Sequence, residues 1–162
     1  RNRGLLKARG EYVIFWDADV VAHKDMLQKM VDTLKSNKSA SFAYCNHTFG
    51  KKKMPARAFS ITALKEQNYI HTTSLIRRDK VPLWDMSLRR FQDWDLWLTM
   101  AKNGDVGIWI DEYLYNVASG GTMSTWLPRA AYRSPWRYIT IISSRVRAYE
   151  DGVAVVREKH QL

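Results

Sequence analysis

The chain has 162 residues, 46% of them hydrophobic, which suits one domain with a real core and excludes global disorder. Lys and Arg number 26 against 16 Asp and Glu, and the net charge of +10 favours an anionic partner such as a nucleotide, nucleic acid or an acidic membrane surface. A single cysteine, Cys45, excludes a disulfide framework or a multi-cysteine zinc site and fits a reducing, cytoplasmic compartment, and no run reaches the roughly 18 apolar residues of a membrane span.

In chain order, residues 1–9 alternate basic and apolar types, with Leu5, Leu6 and Ala8 on a short helical face that Gly10 ends. The bulky run 12–16 predicts a strand covered on both faces, as in a parallel sheet. It stops at Asp17-Ala18-Asp19. Carboxylates two apart on an extended segment project to one side, the small Ala18 leaves room for phosphates, and paired hard oxygens suit Mg²⁺ or Mn²⁺. A solvated turn is the plain alternative, since Asp-x-Asp recurs by chance. Leu27, Met30, Val31 and Leu34 form one helical stripe over residues 24–35, and residues 40–45 read as the next strand. That order predicts a parallel βαβ crossover.

Residues 50–55, Gly-Lys-Lys-Lys-Met-Pro, read as a cationic loop, solvated or steering phosphate. A helical passage through Leu64 and Gln67 leads to an extended segment, 69–76, where His71 is a candidate hydrogen-bonding residue or, less simply, a metal ligand. Residues 91–104 predict a helix: acidic at the start, Lys102 near the end, Gly104 as the stop, and Trp94, Trp97, Leu98 and Ala101 on one face. Asp93 and Asp95 cannot share a face of that helix, so one points to a cleft and the other serves the helix N-terminus. Residues 106–110 and 113–117 read as strands and 119–122 as a loop. The basic, aromatic stretch from Trp126 ends in an apolar segment, 139–146, suited to an amphipathic helix that meets anionic lipid or packs back on the domain.

Together, Arg1-Asn2, Ala8-Arg9-Gly10-Glu11-Tyr12, Phe15-Trp16-Asp17-Ala18-Asp19 and Gln92-Asp93-Trp94-Asp95-Leu96-Trp97-Leu98 resemble family 2 glycosyltransferases. The resemblance covers roughly residues 1–124, with Thr72 to Arg78 similar to the strand before the acceptor side of the cleft. It implies an α/β, GT-A-like (Rossmann-like), mostly parallel sheet flanked by helices. It also implies that the family's early nucleotide-binding strands would precede Arg1, so that residues 1–124 are the catalytic region of an incomplete domain and 125–162 an extension. By match, Asp17 and Asp19 hold the divalent cation, Asn2, Asp17 and Arg77 contact the nucleotide sugar, and Asp93 is the catalytic base of an inverting transfer. Gln92 stands where the family often has Glu, and no Gln-x-x-Arg-Trp follows, which favours a single-sugar transferase over a processive synthase.

The expected partners are a nucleotide-sugar donor, UDP-linked by the family's habit, and a glycan or lipid-linked acceptor in cell-envelope polysaccharide assembly. Peripheral contact with the inner face of a membrane is compatible with the charge. A sugar nucleotidyltransferase would also use paired carboxylates and a metal, but it ordinarily shows a Gly-rich phosphate loop, and none is present. A non-catalytic module binding nucleic acid or membrane is the other alternative. Against nucleic acid, the cations are scattered among 16 acidic residues and match no recognised binding motif.

Overall fold

The computed structural model describes residues 1–118 and 140–162. The elements are α1 (Asn2–Lys7), β1 (Tyr12–Ile14), β2 (Val20–Ala22), α2 (Met26–Ser36), β3 (Phe42–Phe49), β4 (Lys52–Met54), α3 (Ile61–Glu66), β5 (Leu75–Arg77), α4 (Gln92–Lys102), β6 (Gly107–Val117) and α5 (Thr140–His160). The strands form one sheet in the order β1-β5-β3-β6-β2, with β4 on β3.

Alternation along β3 divides the core. Phe42 and Tyr44 point to one face, Ala43 and Cys45 to the other, as the two-residue period of a strand requires. The face with small β3 residues is covered by Met26, Met30 and Leu34 of α2, all fully buried. The helical stripe is thus turned slightly from the expected one, because Leu27 faces solvent at 45% exposure. The other face holds the aromatic cluster. Phe42 stacks on Trp97 with ring centres 4.8 Å apart, and Leu64 of α3, Trp94 and Leu98 of α4 and Val156 of α5 close around them. Cys45 is buried, and burial pushes its thiol up to about 12, so it behaves as a small apolar residue.

The α/β layering is as the sequence implies, but the sheet is not mostly parallel. Among its described pairings, only β3 with β6 runs parallel. The reason is the place of β5, which enters between β1 and β3 antiparallel to both. The crossover from β1 through α2 to β3 therefore keeps its parallel sense and skips one position. β1 is an edge strand with half-buried side chains rather than a doubly covered one. The supposed cationic loop is the turn and second arm of a hairpin, with Thr48 opposite Lys53 and Phe49 opposite Lys52. β2 is an unexpected strand, and 107–117 is one continuous strand, irregular beside Asn46.

That irregularity is held by a buried amide. Asn46 Oδ1 accepts from the Ala56 backbone N–H at 2.8 Å and from Trp109 Nε1 at 3.0 Å, while its Nδ2 donates to Asp111 at 2.9 Å. The expected C-terminal helix is longer than residues 139–146 and packs back on the domain through Val146 and Val156, both buried. The expected loop at 119–122 and the stretch from Trp126 lie outside the described residues.

Gly107 lies opposite Phe42, and a Cβ there would sit 2.3 Å from the phenyl ring. Trp97 stacks on that ring, so the ring cannot retreat. Gly107→Ala is expected to lower stability by about 1–3 kcal/mol, the usual cost of overpacking a core, measured by urea denaturation.

Candidate active site

β1 ends at Ile14, and the chain turns through Asp17-Ala18-Asp19 into β2. The turn is fixed by backbone bonds: Val20 N–H donates to Asp17 C=O at 3.1 Å, and Ala118 N–H donates to Asp19 C=O at 2.8 Å. Both carboxylates are half-exposed and Ala18 is open to solvent. Phe15 and Trp16 flank the turn, Phe15 meeting Trp84 edge to face at 4.8 Å and Trp16 Nε1 donating to Val20 C=O at 3.2 Å.

Arg1 ties this turn to the start of α4. One guanidinium nitrogen pairs with Asp17 at 3.3 Å, another donates to Gln92 Oε1 at 3.3 Å, and the group lies 4.4 Å from the Trp84 ring centre. Gln92 in turn donates to Leu88 C=O at 2.6 Å, so the amide standing in place of Glu is a bridge rather than a charge. The sequence reading did not give Arg1 a role; its place in the Arg1-Asn2 pair was the available signal.

Asp93 is the next residue. Its carboxylate accepts from Asn68 Nδ2 at 2.8 Å, and burial raises its pKa against the opposing pull of the Trp94 and Asp93 N–H groups, the Arg1 charge and Asn68. The residue that opens the helix, Phe91, has a left-handed backbone at φ 56°, uncommon for a bulky side chain. Its ring is wedged against Trp94 and against Tyr149 of α5, and a Cβ at Gly152 would lie 2.9 Å from it.

Asp95 points elsewhere, as the helical angle predicts. Rather than serving the helix N-terminus alone, its buried carboxylate accepts from Lys159 Nζ at 2.8 Å and contacts His160 Nε2 at 2.7 Å. Lys159 also pairs with Asp85 at 2.6 Å. Asp93 thus meets Asn68 and the field of Arg1, while Asp95 latches α5 onto the same helical turn.

Two half-buried histidines lie near Asp19. The His47 and His71 rings are 4.8 Å apart, and His47 stacks on Tyr115 at 5.0 Å. His71 Nδ1 accepts from Thr73 N–H at 3.1 Å. Burial lowers both imidazoles to about 4; for His47 the neighbouring His71 adds to this, and for His71 the Asp19 carboxylate opposes it and Arg1 adds to it. These neutral rings stand 24 positions apart in sequence, and nothing in local spacing announces the pair. Close by in the chain, Thr73 Oγ1 and Trp84 Nε1 are buried without a partner among the described residues.

Two expected site residues are placed differently. Asn2 spends both ends of its amide on the Trp84 backbone, donating to its C=O at 2.9 Å and accepting from its N–H at 2.8 Å. It shapes the site through Trp84, with one donor and one acceptor position of its amide engaged there. Arg77 lies at the far end of β5, opposite Tyr12 rather than beside Asp17, and its guanidinium donates to the carbonyls of Ala40 and Leu34 at 2.9 and 2.6 Å. It fastens α2 to the sheet.

The donor set bears on the cation. Among the described residues no three His, Cys, Asp or Glu side chains gather as a closed metal site. Two open carboxylates fit a hard divalent ion that completes its shell with phosphate and water, the habit of Mg²⁺ and Mn²⁺. Beside them a cleft of about 390 Å³ runs between α1 and the outer edge of β1, apolar at Leu5, Ala8 and Val13 and charged at Arg1 and Asp17.

Residues 1–88, more than half of the chain, match the family described as glycosyl transferase family 2. The chain belongs to that family. Among solved structures, this glycosyl transferase family 2 chain is similar to S. aureus TarS 1-349 in complex with UDP, with a TM-score of 0.59 and 15% identity over 73% of this chain and 38% of that one. The structure titled S. aureus TarS 1-349 is similar at a TM-score of 0.56 and 16% identity over 73% and 39%. At these identities the likeness shows the fold, and the chain spans about two fifths of the TarS length. Among curated protein sequences nothing matches it. Among the described residues no helix is long and apolar enough to cross a membrane.

The latch and the histidines make two checkable statements. Asp95→Ala leaves Lys159 and His160 without their shared carboxylate; because Lys159 is over a third exposed, the loss should be roughly 1–3 kcal/mol, below the full cost of breaking a buried pair, read from denaturant midpoints. His47 and His71 fall from 6.5 to about 4 on folding, so between those values the unfolded chain binds the extra protons. Their contribution is complete above pH 6.5 and is lost as pH falls toward 4, while the raised Asp93 carboxyl offsets part of that loss. The melting temperature should drop on acidification through this window, and less steeply in His47→Phe.

Proposed function

We propose that the chain is the catalytic part of an inverting glycosyltransferase that moves a sugar from a nucleotide diphosphate, a UDP-sugar by preference, to a hydroxyl of a glycan or lipid-linked acceptor. The observation that carries this reading is the convergence of Asp17, Arg1 and Asp93 from three separate elements, in a chain whose family membership rests on its sequence. In this reading, residues 1–124 carry the chemistry and the later residues buttress it through the Asp95 latch.

Asp17 and Asp19 would hold Mg²⁺ or Mn²⁺ against the donor's diphosphate. The cation supplies neutralisation of the charge that develops on the departing diphosphate. The chain's own residues do the rest. Ala18 keeps the turn clear for phosphate oxygens. Arg1, paired with Asp17, would offer its charge to a phosphate bound at this turn. Asp93, oriented by Asn68 and raised by burial, accepts the proton of the attacking hydroxyl as that oxygen bonds to the anomeric carbon from the side opposite the leaving group. No covalent bond to the protein is required.

Calorimetry with UDP and Mn²⁺ on the full-length protein tests the donor side. Asp19→Ala should abolish cation-dependent UDP binding with little change in melting temperature, and unchanged affinity would refute the assignment. Asp93→Asn should keep UDP affinity and lower the transfer rate by roughly 10²–10⁴, the range for losing a general base, whereas Asp95→Asn should spare most of the rate and cost stability. A large rate loss confined to Asp95→Asn would move the base two residues along α4.

A further inference from the structure

The net charge of the chain is unevenly distributed. Between Asp32 and Glu66 there is no acidic residue, while Lys35, Lys38, Lys51, Lys52, Lys53, Arg57 and Lys65 fall in that interval. Four of these stand on the β3–β4 hairpin and the irregular segment leaving it, and all four are exposed. Among the described residues, Lys51, Lys53 and Arg57 take part in no ion pair with a carboxylate. Lys53 lies over the Tyr113 ring at 5.2 Å and Arg57 over the Tyr69 ring at 5.6 Å, so two of the cations are seated on aromatic faces.

The hairpin stands at the edge of the sheet that carries the candidate site. Gly50 N–H donates to Val117 C=O at 2.9 Å, and the next residue, Ala118, is bonded to Asp19. Two short chains of contact lead inward. On one side Met54 pairs with His47, whose ring touches His71, the neighbour of Asp19. On the other, Arg57 lies over Tyr69, and the preceding residue, Asn68, holds the Asp93 carboxylate. The cationic rim is therefore linked to Asp93 through Tyr69 and Asn68 and to Asp19 through the histidine pair.

We propose that this rim is the docking surface for the acceptor, and that the acceptor is a glycan bearing phosphate groups. The proposal rests on the transferase reading above and adds the chemical class of its second substrate. Three of the four cations are lysines, compact point charges suited to phosphate, and the tyrosine faces beside them suit sugar rings. A lipid surface fits less well. No large apolar side chain between residues 49 and 57 is exposed, and surface-binding elements pair their cations with apolar residues that enter the acyl boundary. The donor's own diphosphate is already provided for at Asp17, Asp19 and Arg1.

The test uses the full-length protein, with poly(glycerol phosphate) as the acidic glycan mimic, dextran as a neutral polymer and phosphatidylglycerol–phosphatidylcholine vesicles as the lipid arm. Lys51→Gln/Lys53→Gln/Arg57→Gln should weaken poly(glycerol phosphate) binding about tenfold, equal to ~1.4 kcal/mol, with UDP–Mn²⁺ affinity and melting temperature unchanged. In the wild-type protein that binding should fall as salt is raised, which keeps a test in hand if the triple variant fails to fold. Equal affinity for dextran, insensitivity to salt, or unaltered polymer binding in a folded variant overturns the proposal. So does a variant that loses UDP, which would make the rim part of the donor site, or one that loses only vesicles, which would make it a membrane contact. Failure of wild-type protein to bind UDP with Mn²⁺ would count against the transferase reading instead, because the polymer arm is measured without nucleotide.

Discussion

The parallel pairing of β3 with β6 is the constraint on which the site rests. It is irregular on both sides of Asn46, which faces Tyr113 while Cys45 faces Ile110 and His47 faces Tyr115, so that β6 runs past its partner by extra residues. A strand forced past its neighbour twists and re-aims its side chains, a common device beside functional sites. Here it brings the Tyr115 ring flat against His47 and delivers the end of β6 to the Asp17-Ala18-Asp19 turn. The cost of the irregularity is met by Asn46, which bonds to Ala56, Trp109 and Asp111 at once. A buried amide with fewer partners would have opposed the same geometry.

The second support comes from the opposite side. Phe91 adopts a left-handed backbone immediately before Gln92 and Asp93, a conformation that persists only when its surroundings over-determine it. Those surroundings are Trp94, Tyr149 and the closely approaching Gly152, with the Asp95, Lys159 and His160 latch one turn away. The last helix of the chain is thus coupled by packing and by charge to the turn that presents Asp93. Its buried Val146 and Val156 serve this docking, while Tyr149 and Val155 keep exposed surface.

Much of this was legible in the sequence where the signal was local. The period of residues 91–104 gave α4 with nearly its true limits, and two carboxylates 200° apart on a helix had to take different directions. The turn after the first strand was legible for the same reason. What failed was non-local. Nothing in the run 12–16 says that an antiparallel β5 will lie between it and β3, so the parallel sheet was overestimated. Arg77 belongs to a recognisable stretch, but which end of a three-residue strand meets the site depends on its pairing with Tyr12. Lys51 to Lys53 read as a loop because strands seldom carry three lysines in a row; the pairing to residues 47–49 overrode that preference. Arg1 and the histidine pair acquire meaning only through partners far along the chain.

The bond from Ala118 to Asp19 also has a consequence in time. The turn that presents the two carboxylates is clamped by β6, whose Val117 pairs with Val20 about a hundred residues earlier in the chain. Pairings of such wide sequence separation are slow to form, because the entropy of closing the intervening loop must be overcome before the contact is gained. As the chain leaves the ribosome, Asp17 and Asp19 emerge about a hundred residues ahead of the end of β6, and their turn lacks its clamp until β6 has been made. The relative placement of Asp17 and Asp19 is therefore set only with the completion of the sheet, and an incompletely synthesised chain leaves the two carboxylates on an unclamped turn.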